Sequence, residues 1–544
     1  MNPAALSAGR ATERGADPLA RNHAPRGPLA TDLLVAALLG GLHSLGVVHT
    51  RFWWLQLLAL SVLVWRVANA LPWRAAGLGL AFGTAWLAGS IWWLFISMHR
   101  YGGLPAWMAA LAVLLLSAFM ATFLGAALGA FARWRSGRLL PDSALLAAVW
   151  LLAELTRGAL FTGFPWAASG YAHVDGPLAN LAPWVGVYGI GFVAAQLAAL
   201  PGLALAGGRL AGVSAGGGAG AGSVLASVAA AGAVLLLLGG GGAGQFTHSS
   251  GTLRVSLLQG NVPQDEKFSI AHLPEALAWT RTQLLAAKGD LVLGPETVIP
   301  LLPAQLEPGY LESLLAHFRS PDRAALVGLP LGDEALGYTN SVAGISAASA
   351  SQPGGFYRYD KHHLVPFGEF IPLGFRWFTE MMNIPLGDFN RGVLVAPSFQ
   401  VQGERVAPNI CYEDLFGEEL AASFADPARA PTILANVSNI GWFGQTIAVG
   451  QHLNISRMRS LELQRPMLRA TNTGATVVID HRGVVTHALP PYTQGVLEGT
   501  VQGRTGTTPF AWWAARFGLG LPALVGLLIV LAAALRVRAA RRRG

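Results

Sequence analysis

Long apolar segments alternate with short polar ones over the first 245 residues, and one more apolar segment lies near the end of the chain. A helix that crosses the hydrocarbon of a bilayer needs about 20 residues. Segments 75–97, 105–131 and 223–242 clearly reach this length. The first two segments are short and could form one re-entrant pair, and the fifth contains Glu154 and Arg157 near its end. The apolar segments are 32–49, 53–71, 75–97, 105–131, 143–156, 184–206, 223–242 and 517–535.

These segments predict a membrane α-helical bundle over 32–245, with about seven transmembrane helices, and one further transmembrane helix at 515–536. Arginines are more frequent in alternate loops, which is typical of loops on the cytoplasmic side. We therefore expect the tail 1–31 and the basic tail 537–544 in the cytoplasm, and the region between spans seven and eight outside. The expected inner-loop residues are Arg66, Arg74, Arg133, Arg135, Arg138 and Arg209, against Arg51, Arg100 and Arg157 outside.

Composition agrees with a membrane protein. Hydrophobic residues make up 53% of the chain and charged residues 12%, against about 25% charged residues in an ordinary soluble domain. The net charge of +8 would fit a nucleic-acid partner, but the arginines lie at the ends of apolar segments and not in one basic stripe with aromatic residues. We therefore expect no nucleic-acid partner.

From about residue 250 the pattern changes to short apolar runs that alternate with helix-like stretches. Short apolar runs are typical of buried strands, and their alternation with helices is typical of α/β domains. We predict a soluble α/β domain over 250–505 on the outer side of the membrane. The runs are 253–258, 290–294, 324–329 and 432–437, and the helix-like stretches lie near 272–288, 304–319 and 446–465.

Three residues in this domain are candidates for chemistry. Cys411 is the only cysteine of the chain, so it forms no disulfide within the chain and is either a small buried hydrophobe or a reactive thiol. Glu296 follows an apolar run and a Gly-Pro turn. Lysine occurs only at Lys267, Lys288 and Lys361, which weakly indicates that an amine is needed at one of them.

Cysteine, glutamate and lysine together can perform acyl transfer through a thioester. A thiol needs a base at neutral pH, and a carboxylate can accept its proton. A fixed amine can stabilise the oxyanion. Each residue also has a structural explanation: a buried thiol for Cys411, a capping or ion-paired carboxylate for Glu296, and a solvated charge for Lys361. The residues alone leave both explanations open.

Several motifs carry a family resemblance. GPETVIP (294–300), YRYDKHHLVPFGEFIP (357–372) and NICYEDLF (409–416) resemble the nitrilase, or carbon–nitrogen hydrolase, superfamily with its Glu-Lys-Cys triad. The strings QGNVPQ (259–264), GWFG (441–444) and RMRSLELQRPMLRATNTG (457–474), and the layout of spans around an external domain, more specifically resemble the bacterial apolipoprotein N-acyltransferases. The resemblance covers 32–537 and implies a nitrilase-like α-β-β-α sandwich in the external domain.

The resemblance also implies roles for individual residues. Glu296 would be the general base, Lys361 the oxyanion-stabilising amine and Cys411 the acylated nucleophile. No metal and no cofactor are implied, and we interpret His362 and His363 as loop packing because no further ligand lies at a suitable spacing. The supporting residues are Glu369, Tyr412 and Glu413, and the candidate substrate-binding residues are Phe268, Trp442 and Phe443.

The implied function is a two-step transfer in the bacterial inner membrane, with the catalytic domain on the periplasmic side. A phospholipid, in the family typically phosphatidylethanolamine, acylates the cysteine, and the α-amine of a diacylglyceryl-cysteine lipoprotein then takes the acyl chain. The alternatives are a membrane-tethered nitrilase-type amidase and a non-catalytic scaffold. The chain departs from the family pattern at Gly294, at Phe268 and at the pair Ile440-Gly441. These departures affect the expected shape of the lipid-entry pocket and leave the triad intact.

Overall fold

The computed structural model describes residues 28–210, 219–241, 244–377 and 388–543. The expected tail 1–31 therefore lies almost entirely outside the described residues. In the N-terminal half, each predicted apolar segment forms a helix, and the apolar segment near the end forms another. These helices are α1 (Leu29–Val48), α2 (Trp53–Val67), α3 (Pro72–Ile91), α4 (Ala106–Trp134), α5 (Leu139–Ala159), α6 (Ala182–Leu210), α7 (Ala219–Gly241) and, at the end of the chain, Gly520–Arg543.

Six helices of the described residues are long and apolar enough to cross a membrane, and a seventh candidate is α3 together with Leu94–Tyr101, bent by 63°. The sequence predicted eight crossings. The difference is α2, whose 15 residues span about 22 Å, less than the roughly 30 Å of hydrocarbon. Helix α2 ends at Val67, before its apolar segment does; Ala68 still has helical angles, and Leu71, which directly precedes Pro72, is extended. The number of crossings and the side of each loop stay predictions.

Within the part of the second half that the structure describes, the strands form two six-stranded sheets. The first has the strand order β12-β1-β2-β3-β4-β5, and the second has the order β11-β10-β9-β8-β7-β6. The strands of the first sheet are β1 (Thr247–Gln259), β2 (Leu291–Leu293), β3 (Ala324–Asp333), β4 (Gly337–Ile345), β5 (Tyr357–Asp360) and β12 (Gly495–Gly506). Those of the second are β6 (Phe399–Val401), β7 (Glu404–Ile410), β8 (Ile433–Ser438), β9 (Met467–Thr471), β10 (Val477–Ile479) and β11 (Val485–Ala488).

The two sheets pack face to face with helices outside. In β2, Leu291 and Leu293 face the second sheet, whereas Val292 faces the helices, as the period of two requires. The outer helices are α8 (Leu273–Ala286) and α9 (Tyr310–Phe318) on the first sheet, and α10 (Gly417–Ala422) and α11 (Ala448–Leu463) on the second. The expected α-β-β-α sandwich is confirmed.

Helix α11 lies between the second sheet and the membrane domain. Its residues Ile455 and Met458 belong to the same apolar core as the membrane helices. The chain then continues through α12 (Pro509–Phe517) into α13, the terminal helix Gly520–Arg543. The hydrolase-like domain is therefore packed on the membrane domain through its second helical layer.

Candidate active site

Three strands end at one place, and each delivers a candidate residue. Glu296 lies three residues beyond β2, Lys361 directly follows β5, and Cys411 directly follows β7. Because β2 and β5 belong to one sheet and β7 to the other, the site lies where the two sheets meet. The structure thus brings the three predicted residues together.

Lys361 is buried between two carboxylates. Its Nζ lies 2.9 Å from Oε1 of Glu369 and 3.6 Å from Oε1 of Glu296, and its side chain is 1% exposed. Burial alone would lower the pKa of Lys361, but Glu369 and Glu296 outweigh this effect and raise the pKa well above its usual value. Lys361 is therefore a fixed ammonium group at neutral pH.

Both oxygens of Glu296 accept hydrogen bonds. Oε1 accepts from Nδ2 of Asn340 at 2.7 Å, and Oε2 accepts from the backbone N–H of Asn439 at 2.8 Å. The same Asn340 nitrogen donates to Oε1 of Glu369 at 2.7 Å. Asn340 thereby fixes both carboxylates in relation to Lys361.

Cys411 is held in an unusual backbone conformation. Its φ is +51°, in the left-handed region that non-glycine residues rarely adopt, at the junction of β7 with a short 3₁₀ turn. Burial, and after it the charge of Glu296, raises the pKa of the thiol to about 12. The thiol is therefore protonated at neutral pH, and attack by sulfur requires a proton acceptor such as the neighbouring Glu296.

Glu413 and Tyr412 connect the cysteine turn to its surroundings. Glu413 accepts hydrogen bonds from the Tyr359 hydroxyl at 2.7 Å and from the backbone N–H groups of Ile410, His362 and His363 at 2.6, 2.7 and 3.2 Å. The Tyr412 hydroxyl donates to the carbonyl of Gly163, in the membrane domain, at 2.9 Å. Glu413 thus ties the cysteine turn to the lysine loop, and Tyr412 ties it to the membrane domain.

The two histidines of the lysine loop have packing partners. Nδ1 of His362 lies 2.8 Å from the carbonyl of Gly392. The His363 ring stacks on Phe416 at 3.6 Å, and its Nδ1 lies 2.9 Å from Glu419. Through these contacts both histidine rings pack within the loop and against its neighbours.

The three candidate substrate-binding aromatics differ in their ring partners and exposure. Phe443 packs on Trp93 at 4.3 Å and on Trp166 at 6.3 Å, both in the membrane domain. Trp442 contacts Tyr101 edge-on at 5.7 Å, and Phe268 is 53% exposed. Their part in substrate binding stays a prediction.

The comparisons with known proteins match both halves of the chain. The family model described as Apolipoprotein N-acyltransferase N-terminal domain matches residues 39–200, and the one described as Carbon-nitrogen hydrolase matches residues 254–510. An apolipoprotein N-acyltransferase of Verminephrobacter eiseniae (strain EF01-2) is 53% identical over 494 residues, which cover 86% of this chain and 89% of the relative. The chain belongs to the apolipoprotein N-acyltransferase family.

Other members of the apolipoprotein N-acyltransferase family match over nearly their whole length. The protein of Ralstonia nicotianae (strain ATCC BAA-1114 / GMI1000) is 46% identical over 544 residues, covering 99% of this chain and 98% of the relative. That of Bordetella bronchiseptica (strain ATCC BAA-588 / NCTC 13252 / RB50) is 42% identical over 557 residues, covering 94% and 98%. The order of a membrane domain followed by a hydrolase-like domain is therefore that of the family.

In this member of the apolipoprotein N-acyltransferase family, two site residues have little signal in the sequence. Asn340 is a buried amide in strand β4, between the buried hydroxyl residues Thr339 and Ser341. Lys267 was indicated only by the scarcity of lysine; its Nζ donates to the carbonyl of Glu296 at 2.9 Å and to Oγ1 of Thr297 at 2.6 Å. Burial lowers the pKa of Lys267 to about 8, although the charge of Glu296 opposes this shift.

The lowered pKa of Lys267 predicts a pH-dependent gain in stability. In the unfolded chain the amine has its ordinary pKa near 10.5, so between pH 8 and 10.5 the unfolded state binds more protons than the folded state. The free energy of unfolding therefore rises with pH in this interval. We expect the wild-type protein to gain up to about 3 kcal/mol relative to Lys267→Met.

Unfolding in detergent at pH 7.5 and at pH 10.5 measures this gain for each protein. Lys288→Met is the matched control, because Lys288 is exposed, and it should follow the wild type at both pH values. The same pH dependence in all three proteins would show that Lys267 is not titrating in the folded state below pH 10.5.

Proposed function

We propose that this chain transfers an acyl chain from a membrane phospholipid to the α-amine of a diacylglyceryl-cysteine lipoprotein, by way of a thioester on Cys411. The observation that carries the proposal is the convergence of Cys411, Glu296 and Lys361 in a chain whose relatives, named apolipoprotein N-acyltransferase, match it from end to end. Glu296 is the general base, Lys361 the oxyanion-stabilising group and Cys411 the nucleophile.

In the first step, Glu296 accepts the thiol proton while the sulfur of Cys411 attacks the ester carbonyl of the phospholipid. Negative charge develops on the carbonyl oxygen, and the fixed ammonium of Lys361 stabilises it. The ester C–O bond breaks, and Glu296 returns the proton to the leaving alkoxide. The products are the acylated cysteine and a lysophospholipid.

In the second step, the unprotonated α-amine of the lipoprotein attacks the thioester. The amine loses a proton to Glu296, the C–S bond breaks, and the proton returns to the sulfur. The cysteine is then free for another cycle. Glu369, held 2.9 Å from the ammonium of Lys361, keeps that group in place through both steps.

The contact between the cysteine turn and the membrane domain supports lipid substrates. The turn that begins at Cys411 is bonded to the membrane domain through Tyr412 and Gly163. We propose that the donor is phosphatidylethanolamine and that the catalytic domain lies on the periplasmic side of the inner membrane. In this proposal the candidate substrate-binding residues Phe268, Trp442 and Phe443 contact the acyl chains.

The test is a two-stage assay with the purified full chain in mixed micelles. Incubation with phosphatidylethanolamine should add the mass of one acyl chain to the peptide that contains Cys411, and a diacylglyceryl lipopeptide should then remove it and become N-acylated. The same lipopeptide with an acetylated amine is the matched control and should leave the adduct in place. Replacing the donor by phosphatidylglycerol tests the head group.

Free fatty acid released at the same rate with and without the lipopeptide would favour the amidase-type hydrolase, in which water is the acceptor. A wild-type protein that forms no adduct would contradict both enzymatic functions and favour the scaffold.

A further inference from the structure

A fully buried polar cluster contacts the backbone of the nucleophile at the carbonyl of Cys411. It joins the turn after Cys411 to helix α11 and to strands β8 and β9. Each member of the cluster is at most 1% exposed. The members are Asp414, Asn436, His452, Ser456 and Arg469.

The contacts of His452 determine its tautomer. Nη2 of Arg469 lies 2.7 Å from Nδ1 of His452, and because a guanidinium group can only donate, Nδ1 accepts and carries no proton. The proton is therefore on Nε2, which lies 2.9 Å from Oδ1 of Asp414 and 3.2 Å from the carbonyl oxygen of Cys411. Burial, followed by the charge of Arg469, lowers the pKa of His452, which agrees with a neutral ring.

The carbonyl of Cys411 has a second donor. Nδ2 of Asn436 lies 3.2 Å from the same oxygen, so two side chains hold one peptide group. This peptide follows a residue with φ of +51°, a conformation that costs on the order of 1 kcal/mol or more and that needs support from its surroundings. Since C=O and N–H point in opposite directions in a trans peptide, the two donors fix the direction of the Tyr412 N–H and the place from which the thiol projects.

The cluster is not a second hydrolytic triad, although it contains serine, histidine and aspartate. Oγ of Ser456 donates to Oδ2 of Asp414 at 2.5 Å, and Nη1 of Arg469 lies 2.5 Å from the same hydroxyl. The imidazole nitrogens of His452 are occupied by Arg469, Asp414 and the Cys411 carbonyl. No ring nitrogen is free to take a proton from serine, so the histidine serves placement and not proton transfer.

The residue before His452 connects the cluster to the membrane domain. Oε1 of Gln451 accepts from the indole N–H groups of Trp93 at 2.9 Å and of Trp166 at 3.0 Å, and its Nε2 donates to the carbonyl of Ser90 at 3.0 Å. The Trp166 ring also lies against the His452 ring, with 5.3 Å between centroids. The start of α11 is thus fixed to the membrane domain on one side and to the nucleophile on the other.

We propose that His452 is a positioning residue, which holds the peptide after Cys411 through its Nε2–H group and transmits the packing of Trp93 and Trp166 to the nucleophile. This positioning role deepens the proposed function and rests on it for the acylation reaction whose rate is measured. The effect of His452 on the placement of the thiol does not depend on the substrate.

The sharpest test compares His452→Gln with His452→Asn. A glutamine amide nitrogen can reach the place of Nε2, whereas an asparagine nitrogen reaches only the place of Nδ1. We expect His452→Asn to lower the single-turnover rate of Cys411 acylation about 100-fold, because displacement of a reacting group by about 1 Å has effects of this size. His452→Gln should stay within about tenfold of the wild type.

A second readout uses no lipid. Iodoacetamide reacts with cysteine as the thiolate, Cys411 is the only cysteine of the chain, and the pH profile of alkylation at Cys411 reports the surroundings of the sulfur. His452→Asn should shift the profile, whereas His452→Gln and the matched control His248→Asn, at an exposed histidine, should not. This readout stays informative if no acylation is found, so failure of the proposed function and failure of the positioning role are distinguished.

Melting temperatures separate positioning from stability. If His452→Asn folds, a wild-type acylation rate and an unshifted alkylation profile would overturn the proposal. If His452→Asn does not fold, the test rests on His452→Gln. A His452→Gln protein that melts like the wild type but has lost most of its acylation rate would also overturn the proposal.

Discussion

Cys411→Ala is expected to form no acyl adduct and to transfer no acyl chain, with a melting temperature close to that of the wild type. Sulfur is the only group of the site that can form the thioester, and the chain contains no other cysteine to replace it. The change removes one atom from a partly buried position and leaves the ammonium of Lys361 with both of its carboxylates. The measurement is the mass of the peptide that contains residue 411 after incubation with phospholipid.

Loss of all thiol labelling in the Cys411→Ala protein verifies the substitution. Acyl transfer that persists in that protein would mean that another group is acylated, and would remove Cys411 from the mechanism.

Glu296→Gln is expected to slow acylation of Cys411 by a factor of about 10² to 10⁴, the usual contribution of general base catalysis. At the same time we expect faster alkylation of the thiol by iodoacetamide above pH 9. The charge of Glu296 raises the pKa of Cys411, so its removal lowers that pKa and increases the thiolate fraction at a given pH. Opposite effects on the two rates would separate loss of the base from general damage to the site.

The glutamine also disturbs its neighbours. Oε1 and Oε2 of Glu296 both accept hydrogen bonds, from Asn340 and from the N–H of Asn439, and the amide –NH₂ of glutamine cannot accept. One donor loses its partner, which costs about 1–3 kcal/mol. Glu334→Gln, at an exposed position, is the matched control and should change neither rate. Parallel slowing of acylation and alkylation in Glu296→Gln would contradict the role of general base.

Local sequence predicted four of the twelve described strands, and the family motifs identified the residues that follow three strand ends. Short apolar runs identified the segments around β1, β2, β3 and β8, and the motifs that contain Glu296, Lys361 and Cys411 lie where strands end. The resemblance further implied that Glu369 belongs to the lysine loop. Its distance of 2.9 Å from Lys361 agrees with that expectation, and its role in the reaction stays a prediction.

The contacts that join distant parts of the chain could not be predicted. Asn340 meets Glu296 across 44 residues, and His452 reaches the Cys411 carbonyl across 41. Asn340 gains its role from its place in the first sheet, and His452 gains its role from the packing of helix α11 on the second sheet. Neither has a local pattern that distinguishes it from a solvated side chain. For the apolar segment 53–71 the sequence predicted too much: its hydrophobicity continues beyond the last residue of α2, so the predicted span is longer than the helix.

The raised pKa of the thiol also bears on how the protein survives oxidants. Because burial and the charge of Glu296 raise the pKa of Cys411, the thiolate is a minor form at neutral pH in the resting state. Peroxides and oxidised thiols react with the thiolate, so conversion to sulfenic acid or to a mixed disulfide is slow. A nucleophile that becomes reactive only when a neighbouring carboxylate takes its proton is therefore protected from oxidants between catalytic cycles.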